Sequence, residues 1–142
     1  MYENETLFAK AVVDQLKVCG NIKVTKIETR TESGVPDLYV AGSWGTRWVE
    51  LKVMNCLFKH SKMLSVPFRA GQQKWAAEHH FVTGYSEAVL LLAAFKNGIY
   101  CCSLRKFYEG KKIPAHDWSY VSDLGDGLIH HLKLKNCLGL QR

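Results

Sequence analysis

Between Asn4 and Cys19 the apolar positions recur at steps of three and four, at Phe8, Ala11, Val12, Leu16 and Cys19. That spacing predicts an amphipathic helix, ended by Gly20-Asn21. Glu5 falls at the N-terminal end of the same stripe, and Glu3 does not share it. The period then shortens to two. Ile22 to Glu28 alternates and predicts a first strand, followed by a polar loop over Arg30 to Ser33. A second strand is expected over Asp37–Ala41 and a third over Arg47–Val53, joined by Gly42-Ser43-Trp44-Gly45-Thr46 as a hairpin. Asn55–Pro67 shows no period. Phe68–His80 is helical again, with Phe68, Gln72, Trp75 and Ala76 on one side. Ala88–Phe95 and Ile99–Ser103 flank Lys96-Asn97-Gly98, and an Asn-Gly pair between two apolar runs predicts a hairpin. Past Leu104 the pattern weakens: Asp117–Val121 suggests a short helix and Leu128–Leu134 alternates like a strand. Helix, three strands, helix, two strands describes an α/β protein.

The chain has 142 residues, which suits a single domain spanning 1–142, with a core over about 5–103 and an extension over 104–142 packed on it in an unassigned role. It contains no internal repeat, linker or low-complexity segment. The net charge of +6 favours polyanionic partners without bearing on fold. The five cysteines include no C-x-x-C pair, and their odd number argues against a closed disulfide framework, so free thiols in a reducing cytoplasm are expected. The first residues have no signal-peptide pattern, and the apolar run Ala88–Phe95 is far shorter than the roughly 20 residues of a membrane span. No membrane partner is expected.

Candidate chemistry concentrates in two segments. Gly34-Val35-Pro36-Asp37 opens one apolar strand, and the next carries Glu50-Leu51-Lys52. Side chains alternate along a strand, so Glu50 and Lys52 share one face, while Val49, Leu51 and Val53 face the other way into a core. Two carboxylates beside an ammonium suit a divalent cation and phosphodiester hydrolysis. The geometry carries a condition: Asp37 must stand opposite Glu50 or Lys52, because a one-residue slip would place the carboxylates on opposite faces.

On these residues the chain resembles the PD-(D/E)xK nuclease superfamily, most closely its virus-type replication-repair (VRR-NUC) nucleases and Holliday junction resolvases. The resemblance covers Glu5 to Ser103 and implies a restriction-endonuclease-like α/β fold with a mixed central sheet flanked by helices. It implies Asp37, Glu50 and the Leu51 backbone carbonyl as ligands of Mg²⁺, with Mn²⁺ able to substitute, and Lys52 as the residue that assists the attacking water. Glu5, matched by its face on the first helix, would reach the metal through water. Gln72 would complete the site, since Gln72-Gln73-Lys74-Trp75 matches a Gln followed three residues later by Trp. Arg69, Lys59, Lys62 and Lys74 are the expected contacts to DNA. The implied partner is branched DNA bound by a homodimer, and compact nucleases of this kind are common in phages. A DNA-binding module without catalysis, or an exonuclease or flap nuclease, are the alternatives.

Other polar groups suggest less. The neighbours His79-His80 and His130-His131 diverge on a helix or a strand, which disfavours zinc. Trp44 could stack on a base or lid the core. Lys111-Lys112 and Lys133-Lys135 read as solvated faces or DNA-backbone contacts. The absence of a G-x-x-x-x-G-K loop argues against an enzyme of free nucleotides.

Overall fold

A computed structural model describes residues 2–28, 33–83, 89–105 and 107–140, the side chains of 83 and 134–140 excepted. The loop expected over Arg30–Ser33 lies outside the described residues except for Ser33, as does Ala88.

Helix α1 (Glu5–Val18) starts where the Asn4 side chain accepts a hydrogen bond from the Leu7 amide at 2.9 Å, satisfying one of the unpaired first-turn donors. Its buried residues, Phe8, Ala9, Val12 and Leu16, follow the helical period. Gly20 and Asn21 then adopt left-handed conformations, at φ 65° and 55°.

Strands β1 (Lys23–Lys26), β2 (Leu38–Gly42) and β3 (Gly45–Val53) form an antiparallel meander. The β2–β3 turn is tighter than the sequence suggests, with Gly42 paired to Gly45 across Ser43-Trp44. The Trp44 indole folds over Gly42, where a Cβ would come within 2.6 Å of it, so this ring is half-buried against the core. After β3 come β4 (Leu64–Ser65), helix α2 (Gln72–Thr83), β5 (Val89–Phe95) and β6 (Gly98–Ser103). Strand β5 crosses over to pair parallel with β3, and β6 returns antiparallel. In the β5–β6 turn the Asn97 amide accepts from the Phe58 N–H at 2.7 Å and donates to the Phe58 carbonyl at 3.1 Å. That anchors the aperiodic segment, whose Phe58 ring stacks on Tyr100 at 3.8 Å.

The last third departs from expectation twice. Asp117–Val121 does not form a short helix: a 3-10 turn ends at Asp117, and β8 (Ser119–Val121) pairs with β6. Pairing decides this, because β6 would otherwise present an open edge and Val121, 2% exposed, reaches the core from β8. Leu128–Leu134 is not a strand either, but part of α3 (Asp126–Leu140). Leu128, Ile129 and Leu132 are all buried, which is helical spacing. Asp123 caps the start of this helix, accepting from the Gly125 and Gly127 amides at 2.9 and 3.0 Å. A two-residue strand β7 (Lys112–Ile113) pairs with β4.

The sheet is therefore six-stranded and mixed, in the order β1-β2-β3-β5-β6-β8. Alternation sends the apolar residues to two cores. Leu38, Val40, Val49, Leu51, Leu90 and Leu92 meet α1 and α3 on one face. Val89, Leu91, Ala93 and Phe95 meet α2 and the segment around β4 and β7 on the other. Residues 104–140 thus contribute a strand and a helix to the layers themselves. Among the described residues, no helix is long and apolar enough to cross a membrane.

Candidate active site

The register of the β2–β3 hairpin agrees with the condition set by the sequence. Leu38 stands opposite Val49, so continuing the ladder by one residue places Asp37 opposite Glu50. Asp37 is held from both sides. Its carbonyl accepts from the Ile27 amide, and its carboxylate Oδ2 from the Leu51 amide, each at 2.9 Å. A strand residue's N–H and C=O point toward the same neighbour. The Leu51 carbonyl therefore faces the same opening as Asp37, where β2 has not yet begun.

Glu50 and Lys52 project to the α2 face and are 2% and 1% exposed. This burial removes the possibility of a solvent-facing surface pair. Glu50 Oε2 accepts from Gln72 Nε2 at 2.7 Å and lies 3.4 Å from Lys52 Nζ. Glu50 Oε1 is equally buried and has no hydrogen-bond partner among the described residues. Burial, and secondarily the charge of Asp37, push the Glu50 carboxyl up to about 8, against the opposing pull of Lys52 and Arg69.

Gln72 is the first residue of α2, and both ends of its amide are used. Oε1 accepts from the Arg69 amide at 2.8 Å, which turns Nε2 toward Glu50. The α2 start is fixed against the Asp37 loop by a contact only glycines permit. Gly34 and Gly71 have φ of 89° and 84°, and a Cβ on Gly34 would lie 2.2 Å from the Gly71 carbonyl oxygen. Ser33 Oγ donates to the Ala70 carbonyl at 2.8 Å beside them. Two loops that bring Asp37 and Gln72 from distant parts of the chain are thereby locked together.

The sequence gives no direct signal for this contact, although Gly34 and Gly71 each precede an expected site residue. It also missed Gln73, 7% exposed, whose Oε1 accepts from the Tyr108 amide at 2.6 Å. Nor did it find the aromatic wall beyond Glu50, where Trp48 packs edge-on against Trp75 at 5.1 Å and Tyr39 lies 4.6 Å from Trp48. His79 stacks on Trp75 at 4.7 Å in this wall.

The remaining expected residues are placed as follows. Glu5 sits at the start of α1, 3.8 Å from Arg69, and both line a cleft of ≈ 210 Å³ with Asp37, Leu51 and Lys26. Lys74 is exposed on α2, 4.0 Å from Glu78. Lys59 and Lys62 lie on the exposed loop between β3 and β4 and do not line that cleft.

Among the described residues, no three His, Cys, Asp or Glu side chains gather as a metal cage. Mg²⁺ uses one or two carboxylates and takes its other oxygens from water and phosphate. The unpartnered Glu50 oxygen, on a carboxyl strained toward its neutral form beside a second carboxylate, is the feature a hard cation would satisfy. Asp37 and Glu50 therefore fit such an ion.

No protein-family model and no curated protein sequence matches this chain. Its fold is matched among solved structures. Hjc, a Holliday junction resolvase from the archaeal hyperthermophile Archaeoglobus fulgidus, aligns with a TM-score of 0.50 at 13% identity, covering 70% of this chain and 77% of that one. The shared architecture is the restriction-endonuclease-like fold.

Proposed function

We propose that this chain is a metal-dependent DNA endonuclease of the PD-(D/E)xK superfamily, acting on branched DNA. The observation that carries the reading is the buried pair of Glu50 and Lys52, 3.4 Å apart, with the Asp37 charge acting on Glu50 and one Glu50 oxygen without a hydrogen-bond partner among the described residues. The likeness to an archaeal Holliday junction resolvase supports a branched substrate. The VRR-NUC likeness rests on the motif residues alone.

Asp37, Glu50 and the Leu51 carbonyl would hold Mg²⁺ or Mn²⁺, with Glu5 reaching it through water. When bound, such an ion polarises the phosphate and makes a water more acidic. The chain's own groups do the rest. Lys52, a buried compact charge, orients the attacking water and offsets charge growing on the phosphate. The water oxygen bonds to phosphorus and gives up a proton to solvent, one P–O ester bond breaks, and the departing oxygen takes up a proton from solvent. Gln72 holds Glu50 in place through its oriented amide. Arg69 meets the substrate backbone at the cleft rim, where its charge is available to a phosphate. A homodimer would set two such sites across a four-way junction.

The test is cleavage of labelled four-way junction, flap, single-stranded and linear duplex DNA with Mg²⁺ or Mn²⁺, with Lys52→Ala beside the parent. Symmetric nicks near the junction centre, lost in Lys52→Ala, are the expected result. Preference for flaps or ends would keep the nuclease and remove the resolvase. Tight binding without cleavage, identical in the variant, would make the chain a binding module.

A further inference from the structure

The cleft that contains Asp37 does not end at Arg69. Arg69 lines both that cleft and a second one of ≈ 130 Å³. The wall of the second has two sources: the turn into α2 with the start of that helix, which supply Arg69 and Lys74, and the segment after β6, which supplies Phe107 and Lys111. Every ionisable group lining it is cationic.

The second wall is fastened to the site rather than merely near it. Gln72 holds Glu50, and the next residue, Gln73, holds the Tyr108 amide at 2.6 Å. Two consecutive glutamines thus tie the carboxylate and the Phe107 segment to one helix start. Lys111 Nζ donates to the Phe68 carbonyl at 2.9 Å, which fixes the ammonium at the rim with two of its three donors unspent on that bond. Phe107 is 64% exposed, and a fully apolar ring presented to water beside three cations is what an unpaired base would cover.

We propose that this second cleft binds DNA next to the scissile phosphate, as an unpaired strand. Arg69, Lys74 and Lys111 contact the neighbouring phosphate, and Phe107 stacks on its base. The segment after β6 thereby acquires a role in choosing substrate: it favours junctions and flaps with an unpaired flank over continuous duplex. The proposal rests on the reading of Asp37, Glu50 and Lys52 as a DNA-cleaving site.

The experiment is fluorescence anisotropy of the full-length chain with a labelled oligothymidylate and a labelled blunt hairpin duplex, without divalent metal and across a salt series. Lys111→Ala is expected to weaken oligothymidylate binding several-fold and to make the log K against log salt slope shallower by about 0.7, the loss of one single-strand phosphate contact. Phe107→Ala is expected to weaken oligothymidylate binding about tenfold while leaving the duplex nearly unchanged. Lys96→Ala, on the distant β5–β6 turn, should change neither. Phe107 is exposed, so its variant carries the test should Lys111→Ala fold poorly by thermal melting. An unchanged salt slope together with equal effects of Phe107→Ala on both DNAs overturns the subsite. If those variants also bind and cut like the parent while Lys52→Ala does not cut, the nuclease reading survives alone. No DNA binding by the parent overturns both. A change of oligomeric state in Phe107→Ala by light scattering, with DNA affinity intact, would make the cleft a protein contact and also overturn the subsite.

Discussion

Strands β3 and β5 lie side by side in parallel register and are buried together, yet they are filled by opposite rules. Glu50 pairs with Leu91 and Lys52 with Ala93, and none of the four side chains is more than 2% exposed. β5 is apolar on both faces, as expected of a central parallel strand. β3 turns Val49 and Leu51 toward α1, with Arg47 buried on that side nearer its start, and carries the charged Glu50 and Lys52 toward α2. A buried ion pair seldom recovers the desolvation of its two charges. Here Glu50 has not recovered it, since burial and Asp37 hold its carboxyl near 8 despite a lysine 3.4 Å away. Packing alone accounts for β5. It does not account for β3, and local rules are broken in this way where chemistry demands it.

The comparison breaks most visibly if neighbours across the two strands are truncated in turn. Lys52→Ala should lower the cleavage rate about 10²–10³-fold, the effect of removing one charge-stabilising group. Leu91→Ala, opposite Glu50, should instead destabilise the fold by about 2–5 kcal/mol and leave the rate of the folded fraction close to the parent's. Turnover measured beside urea unfolding separates the two. Equal stability losses with no rate difference would mean that β3 is only an unusual core strand.

Much of this contrast was legible in the sequence, for a definite reason. Where one residue's side chain direction follows from its neighbour's, as along Trp48-Val49-Glu50-Leu51-Lys52, period two suffices. The hairpins at Ser43-Trp44 and Lys96-Asn97 were marked by glycine. The C-terminal third was not legible. Its Leu132-Lys133-Leu134-Lys135 alternation imitates a strand, while the burial of Leu128, Ile129 and Leu132 follows a helix. The overlooked signal was Asp123-Leu124-Gly125-Asp126, an acidic cap with an acid three residues on. Ser119–Val121 could not be found locally at all, because three residues become a strand only by pairing with β6. The Gly34–Gly71 contact is likewise a meeting of distant segments, and composition does not encode it.

A smaller effect sharpens the comparison through pH. In the folded, metal-free chain Glu50 keeps its proton up to about pH 8, whereas unfolded it ionises near the ordinary 4.5. The folded state then binds more protons than the unfolded one, so stability falls with rising pH. The stability this group contributes is fully present below 4.5, is lost through the window between, and is gone above about 8. Melting temperature of the metal-free protein should decline across that window, and saturating Mg²⁺ should restore it most near the upper end. Glu50→Gln combined with Lys52→Met makes this position of β3 uncharged like β5. The double variant should lose the pH slope and the Mg²⁺ response, and gain about 1–4 kcal/mol at the alkaline end. A slope that survives in the double variant would assign it to other groups.

The smallest effect concerns a pair that is exposed where Glu50–Lys52 is buried. Glu5 and Arg69, 3.8 Å apart, have side chains 40% and 52% exposed. An ion pair so solvated contributes about 0–1 kcal/mol, so Glu5→Gln should leave the melting temperature almost unchanged. If Glu5 serves the metal through water, the same variant should weaken Mg²⁺ binding a few-fold in calorimetric titration, because one negative charge leaves the cleft. If it only positions Arg69, Mg²⁺ affinity should hold and DNA affinity should change instead, with Arg69→Gln producing a larger loss of the same kind. The two strands teach that burial makes charge expensive. This pair asks whether an exposed charge a few residues from the same site can matter for function while contributing almost nothing to stability.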